Sequence, residues 1–315
     1  MKTAAAAALL WIACAEPGMA GGESAGYDFL SLPQGARAAA LGGANISADD
    51  GDATMALANP ALLHYVPDHT AGLHFLSYAG GACGGAVFNH AVGARSTVAL
   101  SAQYMGYGDI RHTDEYGADL GKFSAKDVAV AGHFSYLLAD NLVGGVAAKL
   151  AASYIAGYSS VAMAVDLGVN YANPETGWSF SLAAKNLGGE LKAFADEYGR
   201  LPVDVRAGVS KRLAHTPLRL HATLDRLTSW GDSFGSHLSI GADLVLSETL
   251  WVGGGYNFAR SSAMAIADGE GLESAHGAGL SFGAGLSAGN FQVGAAWSKY
   301  HVSNSALVLN VSYSM

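Results

Sequence analysis

Charge is what this chain has least of. Asp, Glu, Lys and Arg together make up 14% of its 315 residues, where ordinary soluble domains carry about 25%. Proline is scarce at 7, and there are only 2 cysteines. With 50% hydrophobic residues, this balance excludes a disordered chain, which stays solvated only with the opposite proportions. Long apolar runs are missing too. No stretch reaches the roughly 18 uninterrupted apolar residues of a spanning helix, and mean hydropathy is only +0.23, which excludes a helical membrane protein. Excess basic charge is also absent. The formal net charge of −9 argues against nucleic acid as a partner. What the chain does have in quantity is glycine, 42 residues.

The first twenty residues read as an export signal. Lys2 supplies the positive start, residues 4–15 form an apolar run, and Gly18-Met19-Ala20 places small residues where a signal peptidase cuts. Cleavage after Ala20 removes Cys14 and leaves Cys83 alone. No intramolecular disulfide is then available, even in an oxidising compartment.

From Thr70 onward the dominant period is two. Leu201, Val203, Val205, Ala207 and Val209 alternate with Pro202, Asp204, Arg206, Gly208 and Ser210. Leu218, Leu220, Ala222 and Leu224 alternate with Arg219, His221, Thr223 and Asp225. Side chains alternate faces along a strand, so each segment carries one apolar face and one polar or small face. Fourteen such segments follow one another, at roughly 70–79, 82–91, 96–106, 126–137, 141–154, 160–172, 177–187, 201–213, 217–228, 236–246, 249–260, 276–287, 290–300 and 304–315. They exceed the five or six residues of a soluble strand and suit a tilted strand crossing a bilayer.

The connections sort by length. Every second one is short (92–95, 138–140, 173–176, 214–216, 247–248, 288–289), and all the long ones (107–125, 188–200, 229–235, 261–275) fall in the other series. Short turns at one end and long loops at the other mark an outer-membrane barrel. The reading is therefore all-β: a 14-stranded antiparallel transmembrane β-barrel over 70–315, with aromatics such as Tyr136, Trp178, Trp297 and Tyr313 near strand ends. Residues 21–69 differ. Arg37–Leu41 and Ala53–Leu57 look helical, joined by Gly42-Gly43 and the acidic Asp49-Asp50-Gly51-Asp52, and form a short, partly helical plug or periplasmic segment.

Chemistry-bearing motifs are few. Neither a phosphate-binding GxxxxGK[ST] nor a GxSxG elbow occurs. His64, His69 and His74 stand five apart, matching no zinc spacing, and Asp268, Glu270 and Glu273 do not form an EF-hand. The chain is thus expected not to be an enzyme, with no catalytic, cofactor or metal residues. Asp204, Arg206, Arg219 and Asp225 are candidate lumen charges, serving either as ion pairs or as the lining of a solute path. Candidate docking residues on the long loops are Tyr107, Asp109, Tyr116, Phe194, Tyr198, Trp230 and Phe234.

Asn59-Pro60-Ala61, after an acidic run and before the first strand, resembles an element of the FadL-like fourteen-stranded barrels. Tyr27-Asp28-Phe29-Leu30, Ala40-Leu41-Gly42-Gly43, Ala184-Lys185-Asn186-Leu187-Gly188 and the run 208–218 resemble the PorV/PorQ branch of that family, PorQ in particular, found in type IX secretion systems. That resemblance implies a non-enzymatic outer-membrane anchor. It would hold a PorZ-like peripheral surface protein near the sortase PorU and its partner PorV, where cargo is joined to anionic lipopolysaccharide. Lipid or lipopolysaccharide would be the only bound molecules. The broader family implies a transporter of hydrophobic small molecules instead, and the PorV-like branch a cargo shuttle.

Overall fold

The computed structural model describes residues 27–78, 80–113, 116, 119–194, 198–230, 234–247, 249–264, 266–267, 273–274, 276–301 and 304–315. The export signal, Asp114, Glu115, Asp268 and Glu270 lie outside them.

Fourteen strands close into a barrel: β1 (Thr70–Tyr78), β2 (Gly81–Ala91), β3 (Ser96–Thr113), β4 (Asp119–Ala139), β5 (Leu142–Ile155), β6 (Tyr158–Asn173), β7 (Trp178–Lys192), β8 (Asp204–Arg212), β9 (Leu218–Leu224), β10 (Leu238–Val245), β11 (Leu250–Asn257), β14 (Leu280–Ala288), β15 (Phe291–Lys299) and β16 (Ser305–Ser314). A two-stranded ribbon, β12 (Ile266–Ala267) with β13 (Glu273–Ser274), interrupts the series in a loop. Neighbouring strands are antiparallel, and β16 closes on β1 with Thr70 opposite Ser314. Both barrel ends therefore sit on the side of the short turns.

The alternation resolves as an inside-out protein. Leu73, Leu100, Phe282, Leu286 and Phe291 are 52–72% exposed on the outer wall, whereas Asp204, Arg206, Ser210, Arg219, His221 and Thr223 are buried within. An outward apolar face on strand after strand is the surface a bilayer requires. Aromatic pairs mark its edge on the turn side, with Trp178 stacked on Phe180 at 5.4 Å and Phe291 against Tyr313 at 4.7 Å.

Several boundaries differ from the periodicity, each for a local reason. The expected loop 107–125 is mostly strand, because β3 and β4 run on as a hairpin with Ile110 opposite Phe123 and Arg111 opposite Lys122. Above the bilayer both faces of a ribbon are wet, so backbone pairing continues without any alternation to reveal it. β7 likewise extends to Lys192. β8 begins at Asp204 rather than residue 201, since Pro202 has no N–H to donate and Leu201 turns into the core. β9 stops at Leu224. β11 stops at Asn257, whose side chain accepts from the Arg260 N–H at 2.8 Å and starts the short helix α2 (Phe258–Ala263).

Residues 27–66 fill the lumen. They comprise α1 (Ala36–Ala40) and 3-10 turns at Asp28–Ser31, Ala53–Leu57 and Pro60–Tyr65. Alanines favour the α1 helix, and Gly42 and Gly43, at φ 90° and 83°, end it in a conformation other residues resist.

Candidate functional site

The contact between plug and wall is where buried polar chemistry concentrates. Two wall glycines receive plug backbone: a Cβ on Gly255 would overlap Leu41 and Gly42, and one on Gly145 would overlap Pro60 and Ala61. The Asn59-Pro60-Ala61 turn sits on that second flat spot. Asn59 caps it by accepting from the Ala61 N–H at 3.0 Å and donates to the Ile46 carbonyl at 3.2 Å. Tyr65 closes this end, its hydroxyl donating to Asn170 Oδ1 at 2.7 Å, and burial pushes its phenol pKa up.

An ionic cluster holds the other half of the plug. Asp243 on β10 is fully buried and receives three cationic or polar partners. Arg37 of α1 pairs with it directly; Arg219 of β9 reaches it through Nε at 3.1 Å and Nη2 at 2.8 Å; His221 Nε2 lies 3.0 Å away. Asp50 of the plug joins both guanidiniums, pairing with Arg37 and standing 3.1 Å from Arg219. Asp49, more exposed, is 3.7 Å from Arg219. The Arg37 guanidinium also lies 4.0 Å over the Trp251 ring, a cation–π contact. A cavity of about 120 Å³ opens beside this cluster toward the turn side, lined in part by Arg37, Asp50, Arg212 and Trp251.

A second polar group lies nearer the loop side, built on an irregularity in β7. The register between β6 and β7 shifts around Asn186, which adopts φ 57°. This bulge re-aims side chains. Lys185 Nζ donates to the Leu57 carbonyl of the plug at 3.1 Å. Asn186 accepts from Lys149 at 3.0 Å and donates to the Pro202 carbonyl at 2.9 Å. Lys149 pairs with Asp166 at 2.6 Å.

Toward the loop side, plug and wall side chains pack together into an apolar layer. Tyr27, Phe29, Leu30, Leu76, Cys83, Met105, Leu201 and Val308 are buried together, with Tyr78, Tyr107 and Tyr300 packed at the edge. Polar anchors ring this layer. The Tyr27 hydroxyl is 2.7 Å from Ser160 Oγ, and Tyr107 donates to Asp127 at 2.6 Å.

The four candidate lumen charges do not form one group. Asp204 and Arg206, two apart on β8, pair at 2.5 Å. Arg219 lies opposite Arg212, at the far end of the β8–β9 ladder, and belongs to the plug cluster. Asp225 follows β9 and stands 3.6 Å from Arg226. Arg37, Asp50 and Asp243, the centre of the cluster, are not among the candidate charges read from the sequence, since Arg37 and Asp243 lie 206 residues apart. Of the loop candidates, Tyr107 turns inward to Asp127 and Asp109 pairs with Lys122 at 3.2 Å on the hairpin. Phe194 is half-buried. Tyr116, Tyr198, Trp230 and Phe234 are exposed. Trp230 stacks on the buried His237 at 4.7 Å, and Phe234 borders an apolar hollow of about 610 Å³ on the outer wall.

No protein-family model matches this sequence, and no curated protein matches it. Solved structures do. The Pseudomonas putida toluene transporter TodX superposes with a TM-score of 0.60, covering 90% of this chain and 98% of TodX at 12% identity. The chain has the fold of the FadL-like barrels. A Pseudomonas aeruginosa FadL homologue gives a TM-score of 0.55 at 12% identity, covering 89% of this chain and 98% of the homologue. The CymD monoaromatic hydrocarbon channel gives 0.58 at 12% identity, covering 90% and 97%. TodX and CymD are named as a transporter and a channel, not as enzymes. None of these likenesses bears on the PorV/PorQ branch.

Proposed function

We propose that this chain is an exported outer-membrane barrel that passes small hydrophobic molecules through a lumen controlled by its N-terminal plug. The observation that carries the reading is an apolar layer, lined by the wall and filled by the plug's Tyr27, Phe29 and Leu30, over an ionic seat, so that a displaced plug leaves an apolar path. An apolar solute enters such a layer without losing hydrogen bonds, whereas a sugar or ion would be stripped of water with too few partners in return. The fold shared with TodX and CymD supports the same class of solute. The short turns face the periplasm, and removal of residues 1–20 leaves Gly21 first.

The test is uptake of radiolabelled toluene by cells carrying the chain in their outer membrane, against cells with the empty vector. Faster uptake, saturable by unlabelled monoaromatic, is expected; equal uptake would refute the reading. A second reading keeps the location but makes the protein an anchor. It would hold a PorZ-like surface protein beside PorU and PorV at anionic lipopolysaccharide. The exposed aromatics Tyr116, Tyr198, Trp230 and Phe234 favour it. Affinity purification from the native membrane tests it: recovery of such a surface protein supports anchoring, and a barrel recovered alone rejects it.

A further inference from the structure

We propose that Asp68, His69 and His90 form a transition-metal site, with zinc the cation their donors suit, on the turn-side rim where the plug runs into β1. Sequence spacing hides it, since His90 stands far from the other two. Strand pairing assembles it. Ala71 lies opposite Phe88 in the β1–β2 ladder, and continuing that register by two residues sets His69 against His90.

The donor geometry is close to what a metal needs. His69 Nδ1 lies 3.1 Å from Asp68 Oδ2, and His90 Nδ1 lies 3.2 Å from Asp68 Oδ1. One ligand atom from each of the three residues falls within 4.8 Å of the others. Zinc bound at about 2.0–2.2 Å in a tetrahedron sets its donors about 3.4 Å apart, and each imidazole already lies near that distance from one oxygen of the carboxylate, His69 from Oδ2 and His90 from Oδ1. Only the two imidazoles, with ring centroids 4.6 Å apart, need settle on the ion.

The cluster is held by backbone. Asp68 Oδ1 accepts the Ala91 N–H at 2.7 Å and the His69 N–H at 2.8 Å. His69 adopts φ 52°, a left-handed conformation uncommon outside glycine. Neighbouring side chains in an extended chain would point to opposite faces; this kink brings the Asp68 and His69 side chains to one side. Two imidazoles and a carboxylate are a zinc-type donor set, leaving a coordination position for water. Calcium and magnesium prefer all-oxygen shells, which this trio does not offer. All three residues are exposed to solvent, so the ion has an entry path. Asp68 and His69 end the plug segment and His90 lies on the wall, so a shared ion would fasten one to the other.

The test is isothermal titration of the refolded, EDTA-treated barrel in detergent with zinc chloride, paired with cobalt(II) absorption to read coordination. One zinc per chain is expected, with an intense tetrahedral cobalt band. His90→Ala and His69→Ala should each weaken binding by about tenfold or more and abolish that band. His112→Ala, at an exposed histidine elsewhere on β3, should change neither. The substituted side chains are exposed, so heat-dependent gel mobility of the barrel should stay as in the parent. Equal zinc stoichiometry and affinity in the parent and in the His69→Ala/His90→Ala double variant would overturn the proposal, as would no binding by the parent.

Discussion

Replacing Asp243 with asparagine tests whether the ionic cluster holds the plug. Asparagine keeps the shape and removes the charge that Arg37, Arg219 and His221 share. Removing one partner of a buried ion pair costs about 3–5 kcal/mol, because the remaining charge is left without its counterion. Here the low end applies, since Asp50 still touches both guanidiniums. A cost of about 3 kcal/mol raises the population with an unseated plug roughly a hundredfold. Asp49→Asn should act differently. Asp49 is 3.7 Å from Arg219 with a side chain 29% exposed, and such a pair is worth under about 1 kcal/mol. The assay is single-channel conductance in planar bilayers, together with limited proteolysis of residues 27–66. Asp243→Asn should open frequently and be cut in the plug, while Asp49→Asn should behave like the parent. Barrel mobility on unboiled gels should be the same in both. If Asp243→Asn were as closed as the parent, or if the two variants leaked equally, the cluster would not be what seats the plug.

Three further outcomes follow from the same geometry. Gly145→Val would push a side chain into the Pro60–Ala61 backbone and should destabilise seating by about 1–3 kcal/mol, read as faster proteolysis near residue 60 with an intact barrel. Lys122→Ala removes an exposed pair with Asp109, both side chains more than 60% exposed; thermal stability should change by less than about 0.5 kcal/mol. Burial lowers the His64 pKa below the ordinary 6.5, so the seated plug favours the neutral ring. The unseated chain then binds more protons as pH falls through 6.5, and seating strengthened above that value weakens below it. Proteolysis of the plug at pH 5 should exceed that at pH 7.5, and His64→Gln should reduce the difference.

The barrel was legible because its physics is local and repeated. A strand with lipid on one side and a polar lumen on the other must alternate, and each of the fourteen segments carries a barrel strand. Legibility failed wherever one of those two surroundings was lost. Above the bilayer the β3–β4 hairpin has water on both faces, so residues 109–113 pair with 119–124 as strand without an apolar side. At Asn186 the bulge breaks the two-residue count and sends Lys185 to the plug. The plug contacts were hidden for a different reason. Arg37 meets Asp243 across 206 residues of chain, and only closure of the barrel decides which inward positions on β9 and β10 face α1. His69 and His90 were separated in the same way, joined by strand register rather than by spacing.

Scarce charge and an ionic seat have a common cause. Every barrel strand commits its apolar face to lipid, so the wall has few large apolar side chains left to hold a plug from inside. Around the ionic seat many lumen-facing positions are glycine, serine and charged residues, as along β8 with Asp204, Arg206, Gly208 and Ser210. Glycines let plug backbone approach closely, and ion pairs add register to the apolar packing of Phe29, Leu30, Met55, Leu62 and Leu63. Such a seat also releases differently. Unseating the plug's apolar residues, such as Phe29, Leu30 and Met55, exposes their surface to water at about 25 cal/mol per Å². Unseating Arg37 and Asp50 exposes groups that water solvates strongly, which offsets much of the Coulomb energy lost. Water entering the cavity beside Arg37 and Asp50 would therefore loosen these ionic contacts before the apolar ones. Several of the chain's few charges are thus gathered at the contact between plug and wall.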